Sequence, residues 1–296
     1  MLSVSIVTPS YNHARYIERT IASILSQADD LDFLVVDGAS TDGTLEILRR
    51  YEPRLRWISE PDNGQTHAVN KGIARTRGDI IGWINSDDLY YPGAVEAARR
   101  CFEQHPDIDV VYGAADHIDE QDQPFEAYPT EPWSFERLKE ICFLCQPAVF
   151  FRRRAAERAG PLDEQLYNCM DYEYWLRLAQ TGANFVYVDR KLAGSRMYPE
   201  NKTLANRVRA HAEYNRMMRS RLGRVPDRWL FNYAHAVLER TPIRRDDPLR
   251  FAVVVSAVSI YAALRWNRGV SRSMLNTTTR WVGDNVRVKL RAAVAR

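Results

Sequence analysis

The sequence Ile80-Ile-Gly-Trp-Ile-Asn-Ser-Asp-Asp-Leu89 passes from an apolar run directly into four polar residues. A short run of this kind predicts a strand that is buried on both faces of a sheet. The adjacent carboxylates of Asp87 and Asp88 repel each other, and burying them is costly unless a cation neutralises them. Mg²⁺ binds through one or two carboxylates together with substrate phosphates. The stretch is therefore consistent with a metal–diphosphate site, and equally with a solvated turn that caps a helix starting near Pro92.

Upstream of this stretch, strand-like and helix-like segments alternate. The predicted strands are Val4–Thr8, Leu31–Val36 and Leu55–Ser59, and the predicted helices are Ala14–Gln27, Thr44–Tyr51 and Thr66–Ala74. Such alternation indicates βαβ units with right-handed crossovers. The expected fold class is therefore α/β, with a Rossmann-like, mostly parallel sheet flanked by helices.

Polar residues follow each predicted strand: Thr8, Asp37, Glu60 and the Asp87-Asp88 pair. Because ligands bind at the carboxyl ends of the strands in open α/β sheets, the four clusters favour a binding site over four separate turns. The first strand is not followed by the glycines of a dinucleotide fingerprint, and the sequence contains no P-loop. A nucleotide whose diphosphate is held through a metal remains the best interpretation.

Five motifs occur in order along the first half of the chain, and together they resemble family 2 glycosyltransferases. They are Thr8-Pro-Ser-Tyr-Asn12, Asp37-Gly-Ala-Ser-Thr-Asp-Gly-Thr44, Glu60-Pro-Asp-Asn-Gly-Gln65, Asn70-Lys-Gly72 and Asn85-Ser-Asp-Asp88. The resemblance covers roughly the first 200 residues. Several motifs in the family's order identify a family far more specifically than a single motif does. The resemblance implies the GT-A fold and inversion of configuration at the sugar.

The resemblance also implies roles for individual residues. The nucleoside would be held by Thr8, Pro9, Tyr11 and Asp37, with Asp37 accepting from the base. Asp87 would lie near the ribose, and Asp88 would ligate Mg²⁺ or Mn²⁺. Gln65, Asn70 and Lys71 would line the donor pocket, although Asn70 and Lys71 also fit the end of a solvated helix.

The second half of the chain contains a further candidate for chemistry in Asn168-Cys-Met-Asp-Tyr-Glu-Tyr-Trp-Leu-Arg-Leu178. It is preceded by a predicted helix (Pro92–His105), a strand (Val110–Asp116), a loop near the acceptor entrance (Asp119–Pro132) and a strand resembling the family's acceptor side (Gln146–Phe151). An apolar helical stripe places Asp171 at the helix's N-terminal end. An N-cap is the simple interpretation. The resemblance instead implies a general base that activates the acceptor hydroxyl, with Glu173 as the competitor.

The segment Ser195-Arg-Met-Tyr-Pro-Glu-Asn-Lys-Thr203 resembles the loop that closes over the donor in this family. Arg196 and Lys202 are candidates for neutralising the diphosphate, or are surface charges. Members commonly place a metal-ligating histidine two residues after the arginine, where this chain has Tyr198. A phenol is a poor Mg²⁺ ligand at neutral pH, so this loop is not expected to supply a metal ligand.

The predicted catalytic domain is 1–203, and 204–296 is a basic helical extension. The chain is 296 residues long, and residues 240–296 carry a net charge of +9 against −6 for the rest. Helices are predicted over Leu204–Leu222, Asp227–Arg240 and Pro248–Trp266. The charge-free part of the last, Phe251–Leu264, spans about 21 Å and is too short to cross a membrane. Its small residues, Ala252, Ser256, Ser259 and Ala263, suit close packing or self-association, and docking on anionic lipid is the alternative.

The sequence therefore predicts an inverting, metal-dependent glycosyltransferase that uses a nucleotide-diphosphate sugar and a glycan or lipid-linked acceptor. The expected location is cytoplasmic, with a peripheral position on the cytoplasmic face of the membrane as the alternative, and no nucleic acid partner is expected. A non-catalytic sugar-nucleotide-binding or scaffolding protein with the same fold is the alternative. A nucleotidyltransferase is a weaker option because a basic triphosphate-binding loop is lacking.

Overall fold

The computed structural model describes residues 1–199, 206–243 and 245–294. They fall into two compact units, Met1–Pro199 and Glu200–Arg296. The domain boundary predicted after residue 203 lies outside the described residues.

The first unit is an α/β fold. Its strands are β1 (Val4–Ser10), β2 (Asp32–Asp37), β3 (Arg56–Ser59), β4 (Ile80–Trp83), β5 (Leu89–Tyr90), β6 (Val110–Ile118), β7 (Pro124–Ala127), β8 (Val149–Arg152) and β9 (Phe185–Arg196). Its helices are α1 (Ile17–Leu25), α2 (Thr44–Arg50), α3 (Gln65–Arg75), α4 (Ala94–Gln104), α5 (Phe135–Glu140), α6 (Arg153–Ala159) and α7 (Met170–Gln180). The α/β class is confirmed, and β1 runs through Pro9 to Ser10, two residues beyond its predicted end.

One sheet joins all these strands in the order β3-β2-β1-β4-β8-β6-β9-β5, with β7 paired to β6. The first half is parallel, as the βαβ pattern predicts: β1 pairs in parallel with both β2 and β4, and β2 with β3. In the second half β8 is antiparallel to β4 and β6, whereas β6 and β9 are parallel. Parallel pairing thus holds for the half of the sheet formed by β1 to β4, and mixed pairing follows it.

Two parts of the second half differ from the sequence-based prediction. The region Asp119–Pro132 was expected to be a loop, but Pro124–Ala127 forms β7 on β6, with a register shift after His117. Gln146–Ala148 is a 3-10 helix, and the strand begins only at Val149. Neither difference was predictable from the sequence pattern, because an edge hairpin and a short helical turn have little hydrophobic periodicity.

The core lies where α1 and α4 pack on the sheet. Apolar residues spaced three and four apart on α1, Ile17, Ile21 and Ile24, are fully buried, as amphipathic periodicity requires. Gly72 allows α3 to approach β1, because a Cβ atom there would lie 2.2 Å from a Val7 methyl carbon. This close packing holds the N-terminal end of α3 near the carboxyl ends of the parallel strands.

The second unit is helical. Its helices are α8 (Arg207–Leu222), α9 (Asp227–Leu238), α10 (Pro248–Asn267) and α11 (Arg272–Val294). The last of these was not predicted from the sequence. A cluster of Ala234, Leu238 and Val255 joins α9 to α10, with Phe251 and Trp281 packed against it.

The helix α10 is longer than the charge-free stretch on which the sequence-based estimate of its length rested. It has 20 residues, not the fourteen of its charge-free part, and so spans about 30 Å. By length and composition it is the one helix among the described residues that qualifies as a candidate membrane span. Its most apolar stretch of 18 residues has a mean hydropathy of 1.5, and 39% of that stretch is buried. Helices packed in a protein core pass the same test. The four small residues predicted to pack, Ala252, Ser256, Ser259 and Ala263, are all buried.

Candidate functional site

The carboxyl ends of the parallel strands bring the predicted nucleoside residues into adjacent positions. Ser10 pairs with Asp37 across β1 and β2, and Asp37 pairs with Ser59 across β2 and β3. Thr8 and Pro9 are buried in β1 on this edge of the sheet. The hydroxyl of Thr8 has no hydrogen-bond partner in the part of the chain that the structure describes.

Asp37 is fully buried, and its carboxylate holds the surrounding turn. Its Oδ1 accepts from the Ser40 hydroxyl at 2.5 Å. Its Oδ2 accepts from the Ser40 backbone N–H at 2.9 Å and from the Ser59 hydroxyl at 2.7 Å. The sequence analysis did not single out these two serines. A base that bound to Asp37 would therefore meet a carboxylate fixed in direction by its neighbours.

Tyr11 is exposed. A Cβ atom at Gly38 would lie 3.3 Å from the Tyr11 ring and 3.0 Å from an Asp62 carboxylate oxygen. The glycine thus lets an aromatic ring and an acid pack closely on the backbone beside Asp37. The Asn12 side chain accepts from the Thr41 backbone N–H at 2.8 Å, which ties the first motif to the second.

The helix α3 carries the three residues predicted to line the donor pocket, and they have different partners. Gln65 donates to the Asn85 side-chain oxygen at 2.7 Å and so reaches the polar segment after β4. Lys71 pairs with Glu60 at 3.0 Å. Asn70 instead bonds the backbone of Leu162 in both directions, at 2.9 and 3.0 Å, and thereby anchors the loop that leads to α7.

The segment Asn85–Asp88 is built into a network that begins with the first motif. The Ser86 hydroxyl lies 2.7 Å from Nδ1 of His13. The Thr20 hydroxyl on α1 donates to the carbonyl oxygens of both Ser86 and Asp88. His13 was not identified from the sequence, although it directly follows the Thr8–Asn12 motif. The segment is a fixed structure and not a solvated turn.

Asp87 and Asp88 are both buried, with 9% and 3% of their surface exposed. Burial, and then the charge of Asp87, raises the pKa of the Asp88 carboxyl well above its usual range. Asp88 accepts from the Arg196 backbone N–H at 2.8 Å and from the Asn85 amide at 3.2 Å. Two neighbouring carboxylates that are both buried form an environment in which a divalent cation is favoured.

Arg196, at the end of β9, is fully buried beneath this segment. Its guanidinium donates to the carbonyl oxygens of Asp87 and Asp119, at 2.7 and 2.6 Å, and pairs with Asp122 at 2.5 Å. These contacts hold the loop after β6 against the segment Asn85–Asp88. A contact between Arg196 and a diphosphate would require some of them to break. Lys202 lies outside the described residues.

Tyr198 is half-buried, and its hydroxyl donates to Oδ2 of Asp87 at 2.8 Å. Its ring packs on Tyr16, with 5.1 Å between the ring centroids. Burial and the charge of Asp87 raise the pKa of the phenol. Tyr198 is therefore a neutral donor to Asp87.

The first turn of α7 carries both candidates for the general base, and their surroundings differ. Glu173 is fully buried and pairs with Arg177 through both oxygens, each at 2.9 Å. Arg177 in turn donates to carbonyl oxygens of Ala159 and Pro161, which ties α7 to the end of α6. Asp171 is partly exposed, and its carboxylate accepts from the Tyr172 backbone N–H at 2.8 Å. Asp171 is thus the more accessible of the two acids.

Cys145, which precedes β8, is buried. Burial raises the pKa of its thiol well above the usual range, and the charges of Asp88, Cys142 and Asp171 add to the shift.

The protein supplies few metal ligands of its own here. Across the described ranges there is no group of three or more His, Cys, Asp or Glu side chains arranged to hold a metal ion. Asp87 and Asp88 alone match the one or two carboxylates through which Mg²⁺ is held when substrate phosphates complete its coordination.

Comparisons with known proteins identify the family of the chain. Residues 5–160 match the model of glycosyl transferase family 2. The chain is 31% identical over 206 residues to a chondroitin synthase from Escherichia coli, which covers 68% of this chain and 30% of that protein. It is 30% identical over 184 residues to a hyaluronan synthase from Pasteurella multocida, covering 60% of this chain and 19% of that protein. The chain therefore spans less than a third of these two relatives.

Solved structures share the fold at low sequence identity. S. aureus TarS 1–349 in complex with UDP-GlcNAc has a TM-score of 0.64 at 14% identity, over 96% of this chain and 89% of that one. The mannosyltransferase PcManGT from Pyrobaculum calidifontis, in complex with GDP-Man and Mn²⁺, has a TM-score of 0.59 at 18% identity, over 96% and 84%. The match to the family model covers more than half of the chain, and the chain belongs to glycosyl transferase family 2.

Proposed function

We propose that the chain transfers a sugar from a nucleotide-diphosphate donor to a hydroxyl group of a glycan or lipid-linked acceptor, with inversion at the anomeric carbon. The observation that carries this proposal is the pair of buried carboxylates, Asp87 and Asp88, that follows β4 at the same edge of the sheet as Asp37. These buried acids suit a metal-bound diphosphate, and Asp171 is an accessible acid that suits a hydroxyl. The synthase names of the relatives support a polysaccharide as the product.

The donor would bind along the ends of β1, β2 and β4. The exposed ring of Tyr11 suits a base, with Asp37 as the acceptor of its N–H groups. The unpartnered hydroxyl of Thr8 is a further group that a nucleoside can satisfy. Asp87 would face the ribose while Tyr198 holds its other oxygen, and Gln65 would reach the sugar side. Solved neighbours bind uridine and guanosine nucleotides, and the imide or guanine edge that Asp37 can accept from fits both.

Asp171 would act on the acceptor. Its carboxylate takes the proton from the acceptor hydroxyl as that oxygen forms a bond to the anomeric carbon. The bond from this carbon to the diphosphate oxygen breaks at the same time, and its electron pair leaves with the nucleotide. Because one displacement occurs, the configuration inverts, and Glu173 takes no part since Arg177 occupies both of its oxygens.

Asp88, with Asp87 beside it, would hold Mg²⁺ or Mn²⁺. A divalent ion bound there supplies positive charge that stabilises the departing diphosphate. The raised pKa of Asp88 supports this assignment, because a cation would relieve the repulsion between two buried acids. The remaining coordination would come from the phosphates, since Tyr198 replaces the histidine of other members.

The test is nucleotide release from a panel of uridine, guanosine and thymidine diphosphate sugars, with Mn²⁺ or with excess chelator. Release of one nucleotide that depends on metal and increases with added glycan acceptor supports the proposal. Binding of a donor, detected as a rise in melting temperature, without release under any condition would favour the non-catalytic binding protein. We also propose that the protein is located in the cytoplasm, at the face of the membrane.

A further inference from the structure

The helix α10 has two faces of different character. Its small residues, Ala252, Ser256, Ser259 and Ala263, are buried within the helical unit. On the opposite side, Val253, Tyr261 and Leu264 are 46%, 55% and 53% exposed, and Ala257 is exposed between them. Large apolar side chains in a row on one helix are unusual on the surface of a soluble unit, and such a patch indicates an interaction surface.

These residues form one continuous stripe. The spacing from Val253 through Ala257 and Tyr261 to Leu264 is four, four and three residues, which places them on the same side of the helix. Arg250 falls on the same stripe before Val253, and Arg268 follows directly after the last residue of the helix; both are exposed. The surface therefore consists of an apolar centre about 17 Å long with an arginine beyond each end.

The helix α11 also exposes both apolar and basic side chains. Its exposed apolar side chains, Leu275, Val286, Val288 and Leu290, are interleaved with the exposed basic residues Arg287, Lys289 and Arg291. From Pro248 to Val294 the chain has eight Lys or Arg residues and one acid, Asp284. Basic residues near the membrane surface attract anionic lipid headgroups, so the charge of this segment matches a bilayer with anionic lipid.

We propose that the exposed stripe of α10 docks on an anionic lipid surface, with α10 parallel to the bilayer and the basic residues of α10 and α11 at the headgroups. A transmembrane position fits less well, because the small-residue face is buried against this chain's own helices. A second copy of this chain fits less well too, because dimerisation through this surface would bring two positively charged surfaces together. This proposal rests on the surface alone and does not depend on the proposed function.

The experiment is sedimentation of the full chain with vesicles of phosphatidylcholine alone or mixed with phosphatidylglycerol. We expect binding only when phosphatidylglycerol is present, and weaker binding as salt rises, because salt screens exposed charges. The double substitution Val253→Ser and Leu264→Ser should weaken binding more than about tenfold through lost apolar burial. The double substitution Arg250→Gln and Arg268→Gln should weaken it roughly thirtyfold.

Phe125→Ser is the matched control, because Phe125 is 60% exposed on β7 in the other unit, and it should bind vesicles like the parent chain. Circular dichroism confirms that each variant is folded, and nucleotide release without vesicles is measured on the same samples. The proposal is overturned if no vesicle binds the parent chain, or if binding ignores both salt and lipid charge. It is also overturned if the serine variant only converts a dimer to a monomer.

Discussion

The hydroxyl of Tyr198 donates a 2.8 Å hydrogen bond to Oδ2 of Asp87, across 111 positions of sequence. It connects the segment after β9 to the segment after β4. The bond fixes the direction of the Asp87 carboxylate. We therefore propose a positioning role for Tyr198, the residue at the position of a metal-ligating histidine.

Replacing Tyr198 with phenylalanine removes this bond and retains the ring that packs on Tyr16. A hydrogen bond to a charged group contributes about 1.5–3 kcal/mol, so the KM for the donor should rise about tenfold or more, with a smaller change in kcat. Steady-state nucleotide release measures both constants. Tyr187→Phe is the control, because Tyr187 bonds Asp189 on the surface. An unchanged donor KM in Tyr198→Phe would contradict the positioning role.

Asp88→Asn should abolish metal-dependent turnover and leave the fold intact. The buried acid has a raised pKa, so its ionisation opposes folding when no cation is present. The neutral amide should therefore melt at the same or a higher temperature than the parent chain without metal, and Mn²⁺ should no longer shift its melting temperature. The exposed Asp107→Asn serves as the control. Full activity in Asp88→Asn, or in the parent chain with excess chelator, would remove the metal from the proposal.

The helical unit should lose stability at acid pH through His211. Burial lowers the pKa of this imidazole to about 4, and the nearby Arg207 adds to the shift while Glu239 opposes it. Its Nδ1 has no hydrogen-bond partner among the described residues, and its ring lies near Tyr214 and Trp229. Folding favours the neutral imidazole of His211. Its contribution to the free energy of unfolding is therefore fully present above about pH 6.5, the pKa of histidine in the unfolded chain, and is lost as the pH falls towards 4.

His211→Gln should therefore flatten the fall in melting temperature between pH 7 and about pH 4.5. Calorimetry across this range provides the measurement, with the exposed His105→Gln as the control. His235, whose pKa is also lowered by burial, will retain part of the acid sensitivity. Equal acid sensitivity in His211→Gln and the parent chain would show that His211 does not set it.

The parts of the fold that sequence reasoning predicted are those encoded locally. The strand ends at Asp37 and at Asn85–Asp88 follow from apolar runs that stop at polar residues, and the parallel half of the sheet follows from alternation. The buried small face of α10 followed from spacing in the same way. Each of these features depends on residues that are close in the sequence.

What the sequence did not reveal depends on contacts between distant segments. The bond between Tyr198 and Asp87, the pair of His13 and Ser86, and the burial of Arg196 arise only when β9 and α1 lie beside the end of β4. Periodicity carries no information on these pairings. The ion pair of Glu173 with Arg177 is different, because its i, i+4 spacing on a predicted helix is a signal in the sequence that would have separated Glu173 from Asp171.

The proposed mechanism depends most on Asp171, and the decisive comparison is with Glu173. Glu173→Gln breaks a buried ion pair and should lower stability by about 3–5 kcal/mol, while kcat below the melting temperature changes little. Asp171→Asn keeps the shape of the side chain but removes the proton acceptor.

The most direct measurement is therefore kcat for nucleotide release in the presence of acceptor, on the parent chain, Asp171→Asn and Glu173→Gln, each below its melting temperature. General-base catalysis contributes about 10²–10⁴-fold, so Asp171→Asn should lose that factor in kcat with donor affinity unchanged, and Glu173→Gln should stay near the parent chain. Normal turnover in Asp171→Asn together with loss of turnover in Glu173→Gln would assign the base to Glu173. Normal turnover in both variants would contradict the inverting mechanism.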